Sequence, residues 1–150
     1  MAESFETSAP WGQVLPLCEN VKKRIYDAAK RRGVPGKPWV SARVTQTYDT
    51  GAAVYFYFGF IFKGVQNPIR VFSEVEAEAR DEIMANGGSL SHHHGVGKIR
   101  APWMEQQISK AGIELLKGMK KHIDPNNLFG NGNMNLQDEA PILSVDSCDK

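Results

Sequence analysis

Ala53-Val54-Tyr55-Phe56-Tyr57-Phe58-Gly59-Phe60-Ile61-Phe62 is the stretch that decides the fold. Its period is two, the repeat of an extended chain whose side chains alternate between faces. Val54, Phe56, Phe58, Phe60 and Phe62 point one way; Ala53, Tyr55, Tyr57, Gly59 and Ile61 point the other. Five large apolar side chains on one face demand a cover. The opposite face carries two phenols beside small residues, which leaves room for a polar group or a ligand. Upstream, Trp39–Tyr48 alternates more weakly. Val40, Ala42 and Val44 share one face, and Ser41, Arg43, Thr45 and Thr47 the other. Asp49-Thr50-Gly51 joins the two runs as a hairpin turn, with Gly51 expected to supply a positive φ.

Helical periodicity flanks this hairpin. Val14, Leu17, Cys18, Val21, Ile25 and Ala28 recur at steps of three and four and predict a helix over about Val14 to Arg32. Pro16 then belongs to its first turn. Lys30, Arg31 and Arg32 complement the dipole at its end, and Gly33 stops it. Cys18 lies on the apolar stripe as core. A second helix is predicted over Ile69 to Asn86, with Phe72, Val75, Ala79 and Ile83 buried and the acidic run from Glu74 to Glu82 on a solvated face. A third is predicted from Ala101 to about His122, with Met104, Ile108, Ala111, Leu115 and Met119 along one side and Asp124-Pro125 breaking it. These elements predict an α+β fold, an antiparallel sheet with helices packed on one face.

Composition narrows the function. Of 150 residues 41% are apolar, enough chain for one domain with a real core. Lys plus Arg is 18 against 17 for Asp plus Glu, a net charge of +1, which argues against binding nucleic acid through bulk positive charge. Two cysteines make no disulfide framework. The longest apolar run, Ala52 to Phe62, falls short of the ~20 residues a spanning helix needs. The first residues lack the basic and apolar regions of a secretory signal. Dense in Phe, Trp, Ser and Thr, they are expected to be cut from the interior of a longer chain.

Two constellations point to chemistry. His92-His93-His94 is followed by Gly95-Val96-Gly97 in a loop. Imidazole titrates near neutrality and suits proton transfer. On an extended backbone His92 and His94 would share a side and His93 would face the other. Two such ligands without a third at a supporting spacing make no zinc site, so no metal is assigned. The second constellation is Tyr55 with Tyr57 on the open strand face, where a phenol in an enclosed site can donate or accept a proton. Arg43 and Lys98 are candidate anion contacts.

Ser4 to Trp11, Arg43 to Asp49, Tyr55-Phe56-Tyr57-Phe58, Gly87 to Lys98 and Asp124 to Asn131 together resemble the alkyldihydroxyacetonephosphate synthase family, within the vanillyl-alcohol-oxidase or FAD-linked oxidase superfamily. The resemblance covers about residues 2 to 135, and the run Ser89-Leu90-Ser91-His92-His93-His94-Gly95-Val96-Gly97-Lys98 is its most specific part. It implies an incomplete cap (substrate) domain over 1–135, followed by an extended or disordered tail over 136–150. It also implies an FAD-dependent transferase of ether-lipid synthesis. Such an enzyme exchanges the acyl chain of acyl-dihydroxyacetone phosphate for a long-chain fatty alcohol, through a covalent flavin adduct without net redox. Tyr55 matches the family's catalytic tyrosine, the proton donor and acceptor, and His92, His93 and His94 match its active-site histidine run. The resemblance further implies a homodimeric, peroxisomal full-length enzyme with peripheral membrane association, although Cys148-Asp149-Lys150 is not a Ser-Lys-Leu-type address. Two other readings stand beside it: the cap domain of a redox flavin oxidase, and a non-enzymatic fragment that binds a lipid or partner.

The family's flavin-binding domain and a phosphate-contacting arginine precede the segment matched here, and no glycine-rich pyrophosphate loop occurs in the 150 residues. The isolated chain is therefore expected to bind no FAD tightly and to show no turnover. An absorption spectrum of the purified chain checks this, and a flavin band would contradict it.

Overall fold

The computed structural model describes residues 1–136. They fall into two compact units, Met1–His94 and the residues from Gly95 onward. Apart from Leu136, the expected tail lies outside the described residues.

The first unit holds a three-stranded antiparallel sheet: β1 (Ala2–Pro10), β2 (Trp39–Thr47) and β3 (Gly51–Gly59), in the order β1-β3-β2. The sequence predicts two strands, and the third comes from this chain's own first residues. β1 escapes the pattern because the face it turns to the core carries Phe5 as its one large apolar residue, with Thr7 buried beside it. Helices α1 (Trp11–Arg31) and α2 (Pro68–Ala85) cover the phenylalanine face. Phe5, Val54, Phe56 and Phe58 join Leu17, Val21 and Ile25 of α1 and Phe72, Val75 and Ile83 of α2 in one core cluster. Phe5 stacks on Phe56 at 5.3 Å between centroids and Phe58 on Phe72 at 4.4 Å. Each such buried side chain contributes roughly 1.5–3 kcal/mol of transfer free energy. β3 stops at Gly59, so Phe62, expected in the core, is exposed.

Several details differ from the sequence reading. α1 begins at Trp11, which puts Pro16 in the second turn. The hydrogen bond lost there would go to the Gly12 carbonyl, and both residues are exposed, so that carbonyl is open to solvent. The acidic face of α2 is not simply solvated. Glu74, Glu78 and Glu82 repeat at one-turn spacing and meet basic residues on α1 and at its C-terminal cap, with Arg32 at 2.7 Å from both Glu74 and Glu78, and Arg24 at 2.7 Å from Glu82. Arg80 is buried, paired with Glu76 at 2.8 Å and set over the Phe5 ring.

Gly51 does not have a positive φ. It opens β3 and pairs with Tyr48 across a two-residue turn, Tyr48 N–H donating to the Gly51 carbonyl at 2.8 Å. Glycine is required there for another reason: a Cβ would stand 2.2 Å from the Ala9 carbonyl oxygen on β1. β2 also carries a bulge. Val44 opposes Val54 but Gln46 opposes Ala53, leaving Thr45 as the extra residue. The predicted alternation therefore fails beyond Val44, and Gln46 and Tyr48 turn to the face that carries Tyr55.

In the second unit a short turn at Ala101–Trp103 leads into α3 (Met104–Ile123). Of the predicted apolar stripe, Met104 is buried and Leu115 and Met119 are exposed. Ser109, at φ 66°, breaks the helical geometry, so residues on either side of it do not share one face. α3 ends at Ile123, with Asp124 as its cap, where the break was expected. The ammonium of Lys120, with the Phe129 backbone N–H, holds the Asp124 carboxyl at about 2. No helix among the described residues is long and apolar enough to cross a membrane.

The Gly51 contact is with backbone, which cannot swing aside. Gly51→Ala is expected to destabilise the first unit by about 2–3 kcal/mol, within the range of severe strain substitutions. Gly12→Ala, in open space on α1, should be neutral or stabilising by up to about 1 kcal/mol. Denaturant melts of both variants beside the parent check the contrast.

Candidate functional site

The open face of the sheet has one central row. Glu6 on β1 and Arg43 on β2 both lie opposite Tyr55 of β3. Directly opposed residues put their side chains on the same face, so the three share it. Tyr57 is stacked beside Tyr55 at 5.8 Å.

Glu6 is fully buried, and a lone buried carboxylate would cost several kcal/mol. Four donors meet it. Ser91 donates its hydroxyl at 2.8 Å, and the backbone N–H groups of His92, His93 and His94 donate at 2.6, 3.4 and 3.1 Å. Three successive N–H groups around one anion form a backbone nest. Burial pushes the Glu6 carboxyl up; the His94 N–H, the Ser91 hydroxyl and the other two N–H groups outweigh it and hold the group below its ordinary 4.5. Upstream, the loop is sewn to β1: Ser89 N–H donates to the Ser8 carbonyl at 2.8 Å, and Ser8 N–H to Ser89 Oγ at 2.9 Å. It passes so close to the core that a Cβ on Gly88 would meet Ile83, Leu17 and Thr7 at 2.7–2.8 Å.

Because the backbone curls around Glu6, the histidines do not alternate as on a strand. His93 and His94 turn to the same phenol: their Nε2 atoms lie 2.7 and 2.6 Å from the Tyr55 hydroxyl. His92 and His93 meet Nδ1 to Nδ1 at 2.8 Å, and His92 Nε2 lies 2.7 Å from the Tyr48 hydroxyl. The predicted residues Tyr55, His92, His93 and His94 are thus brought together. Arg43 stands exposed beside them, whereas Lys98 lies in the second unit. Cys18 is partly buried against the core.

The sequence reading missed Glu6 and Tyr48. A glutamate alternating with Ser4 and Ser8 on a strand carries no signal of burial. Tyr48 joins the open face only because of the bulge at Thr45. Glu6, His92 and His93 also offer three metal-ligand atoms within 4.8 Å of one another. All three are engaged in the hydrogen bonds just described, and an ion would have to displace them.

A family model described as FAD linked oxidases, C-terminal domain, matches residues 1–134. The chain belongs to this family. Within it, the chain is 52% identical over 134 residues to the alkyldihydroxyacetonephosphate synthase of Caenorhabditis elegans, covering 89% of this chain and 22% of that protein. It is 27% identical over 133 residues to that of Trypanosoma brucei brucei, covering 89% and 21%. The glycolate oxidase subunit GlcD of Bacillus subtilis is 36% identical over 62 residues, 41% of this chain and 13% of that one. A solved alkyldihydroxyacetonephosphate synthase shares the fold at a TM-score of 0.53 and 22% identity, over 89% of this chain and 20% of that chain. The resemblance read from the sequence is borne out, and the chain spans about a fifth of the length of these synthases. FAD is the cofactor of full-length enzymes that carry this domain.

Glu6 can be tested through acid. Its folded-state pKa lies below the unfolded one, so its contribution to stability is complete above the unfolded value and is lost as pH falls through the folded value. Glu6→Gln places an amide NH₂ among N–H donors and should cost about 1–3 kcal/mol. It should also flatten the stability–pH curve below the ordinary carboxylate value of 4.5. Urea melts of parent and variant across the acid range check both effects.

Proposed function

We propose that this chain is the C-terminal, substrate-side part of an alkyldihydroxyacetonephosphate synthase, and that Tyr55 is its proton donor and acceptor. The observation that carries the reading is the Tyr55 hydroxyl held within 2.7 Å of two imidazole nitrogens, in a chain 52% identical to such a synthase. In this reaction one proton leaves the substrate carbon that bears the acyloxy group, a fatty carboxylate departs, a fatty alcohol adds with loss of its own proton, and a proton returns to the carbon. Alkyl-dihydroxyacetone phosphate and a fatty acid result.

The described residues fit one wall of a flavin and substrate site. The Glu6 carboxylate is buried beneath the loop, so the exposed side of the cluster offers phenol and imidazole groups, with the Arg43 guanidinium beside them. FAD, when bound in the full-length enzyme, would supply an electron-accepting ring beside the substrate carbon. Tyr55 takes the carbon's proton and returns it. His93 and His94 fix the phenol, and His93 exchanges protons with its oxygen. Arg43, opposite Tyr55 in register, is the candidate contact for the substrate phosphate. Glu6 touches no substrate; it shapes the loop. The same reading carries a homodimeric, peroxisomal full-length enzyme with peripheral membrane association.

In the full-length enzyme, Tyr55→Phe keeps the ring and removes the proton carrier. Alkyl exchange should fall by about a hundredfold or more, the usual scale of a lost acid–base group. Hydrogen peroxide should not accumulate with either protein. Exchange at the parental rate in the variant would refute the assignment of Tyr55, and peroxide release at the rate of turnover would favour a redox oxidase.

A further inference from the structure

The contacts of Tyr55 do not end at His93. Read in order they run Tyr55 hydroxyl, His93 Nε2, His93 Nδ1, His92 Nδ1, His92 Nε2 and Tyr48 hydroxyl, with successive links of 2.7, 2.8 and 2.7 Å. We propose that Tyr48, through His92 and His93, forms the far end of a proton relay that connects the Tyr55 hydroxyl to solvent. This rests on the reading of Tyr55 as the acid–base group and names the path by which that group is recharged.

Hydrogen-bond capacity makes the chain directional. A neutral imidazole donates from one nitrogen and accepts at the other. Two Nδ1 atoms in contact must therefore be one protonated and one bare, so His92 and His93 hold opposite tautomers. If Tyr55 donates to His93 Nε2, then His93 Nδ1–H donates to His92 Nδ1, and His92 Nε2–H donates to the Tyr48 oxygen. His94 Nε2–H then fills the remaining place on Tyr55. A proton arriving at Tyr55 shifts each bond by one step. The Tyr55 proton passes to His93 Nε2, that of His93 Nδ1 to His92 Nδ1, and that of His92 Nε2 to Tyr48, whose own proton leaves to water. One proton enters and one leaves, and all four groups end neutral with the bonds reversed. The reversed chain is set to carry a proton back when the substrate carbon needs one.

The exit is suitably built. Tyr48 is 43% exposed, whereas Tyr55 is only partly so. Tyr48 is pinned at the hairpin end by its N–H to the Gly51 carbonyl and by the Trp11 indole N–H, which donates to its carbonyl at 3.0 Å. Its ring leans on that of His92 at 5.7 Å. The Thr45 bulge is what turns it to this face, and bulges recur beside active sites for such re-aiming.

Two measurements test the relay. In the chain itself, side-chain nitrogen NMR at neutral pH should find His92 and His93 in opposite tautomers. Tyr48→Phe, which keeps the ring and the fold as followed by a thermal melt, should shift the nitrogens of His93, a residue Tyr48 does not touch. Equal tautomers, or a change confined to His92, would overturn the relay whatever the activity. In the full-length enzyme, Tyr48→Phe should lower kcat about tenfold, a fraction of the full acid–base effect. KM for acyl-dihydroxyacetone phosphate should not change, and wash-out of the substrate's carbon-bound hydrogen into D₂O should slow in parallel. Parental kcat and wash-out in Tyr48→Phe, with Tyr55→Phe inactive, would sink the relay and spare Tyr55; an active Tyr55→Phe would sink the assignment of Tyr55 itself.

Discussion

The site depends on one buried charge. The Glu6 carboxylate, shut away from water, is viable only because the Ser91 hydroxyl and three consecutive backbone N–H groups converge on it. The dependence runs both ways. Without the anion those N–H groups would lose their acceptor; without the curl the carboxylate would lose its donors. Because both sides lose, the geometry of residues 91–94 is fixed far more tightly than a polar, glycine-flanked loop would suggest. The imidazoles are forced outward by this curl, and they point at Tyr55 and Tyr48 because Glu6 lies directly opposite Tyr55 in the sheet.

The sheet gives the anchor its address. β3 is central, so its two faces divide the labour: phenylalanines bind the helices and tyrosines remain open. β1 carries Glu6 on one side and is held to the helical layer through Phe5 on the other. Thr7, buried and donating to the Ser89 carbonyl at 2.7 Å, adds a second tie between β1 and the loop. The arginine–glutamate ladder between α1 and α2 acts at the periphery, where partly exposed pairs are worth little one by one. Its regular spacing gains mainly by fixing the register of the two helices, while the apolar contacts beneath supply most of the free energy.

The parts legible in the sequence are those where a period maps onto burial. The Phe/Tyr alternation of β3 and the stripes of α1 and α2 describe what each face touches, and all three elements are found within a few residues of their expected places. Tyr55 and the histidines were legible as residue types, and the resemblance supplied their grouping. What was not legible involves polar atoms satisfied at long range. Glu6 and the His loop are separated by 85 or more residues, and nothing local in Ser4 to Ser8 distinguishes a buried glutamate from a solvated one. The direction of each imidazole follows from the nest rather than from strand alternation. The acidic face of α2 carried no mark of the arginines opposite, because helix pairing is a tertiary fact. In the sequence Gly51 reads as a conformational glycine, yet its need is steric, set by a strand that the pattern does not reveal.

The bulge at Thr45 shows how one residue can decide the chemistry of a face. In a regular ladder Tyr48 would share the side of Ala42 and Val44, turned toward the helices with a hydroxyl to satisfy there. With one extra residue in β2, everything beyond it changes face, and the phenol arrives beside His92. The polar run Thr45-Gln46-Thr47 tolerates this slip because neither face of it makes an apolar commitment, and all three residues are exposed. Register is weakly specified where no hydrophobic pattern pins it, and at that point the sheet is free to trade a ladder position for a side chain on its other face. The His–Tyr network therefore rests on two different devices: a buried anion that aims the histidines down toward β3, and an unpaired strand residue that turns a tyrosine round to meet them.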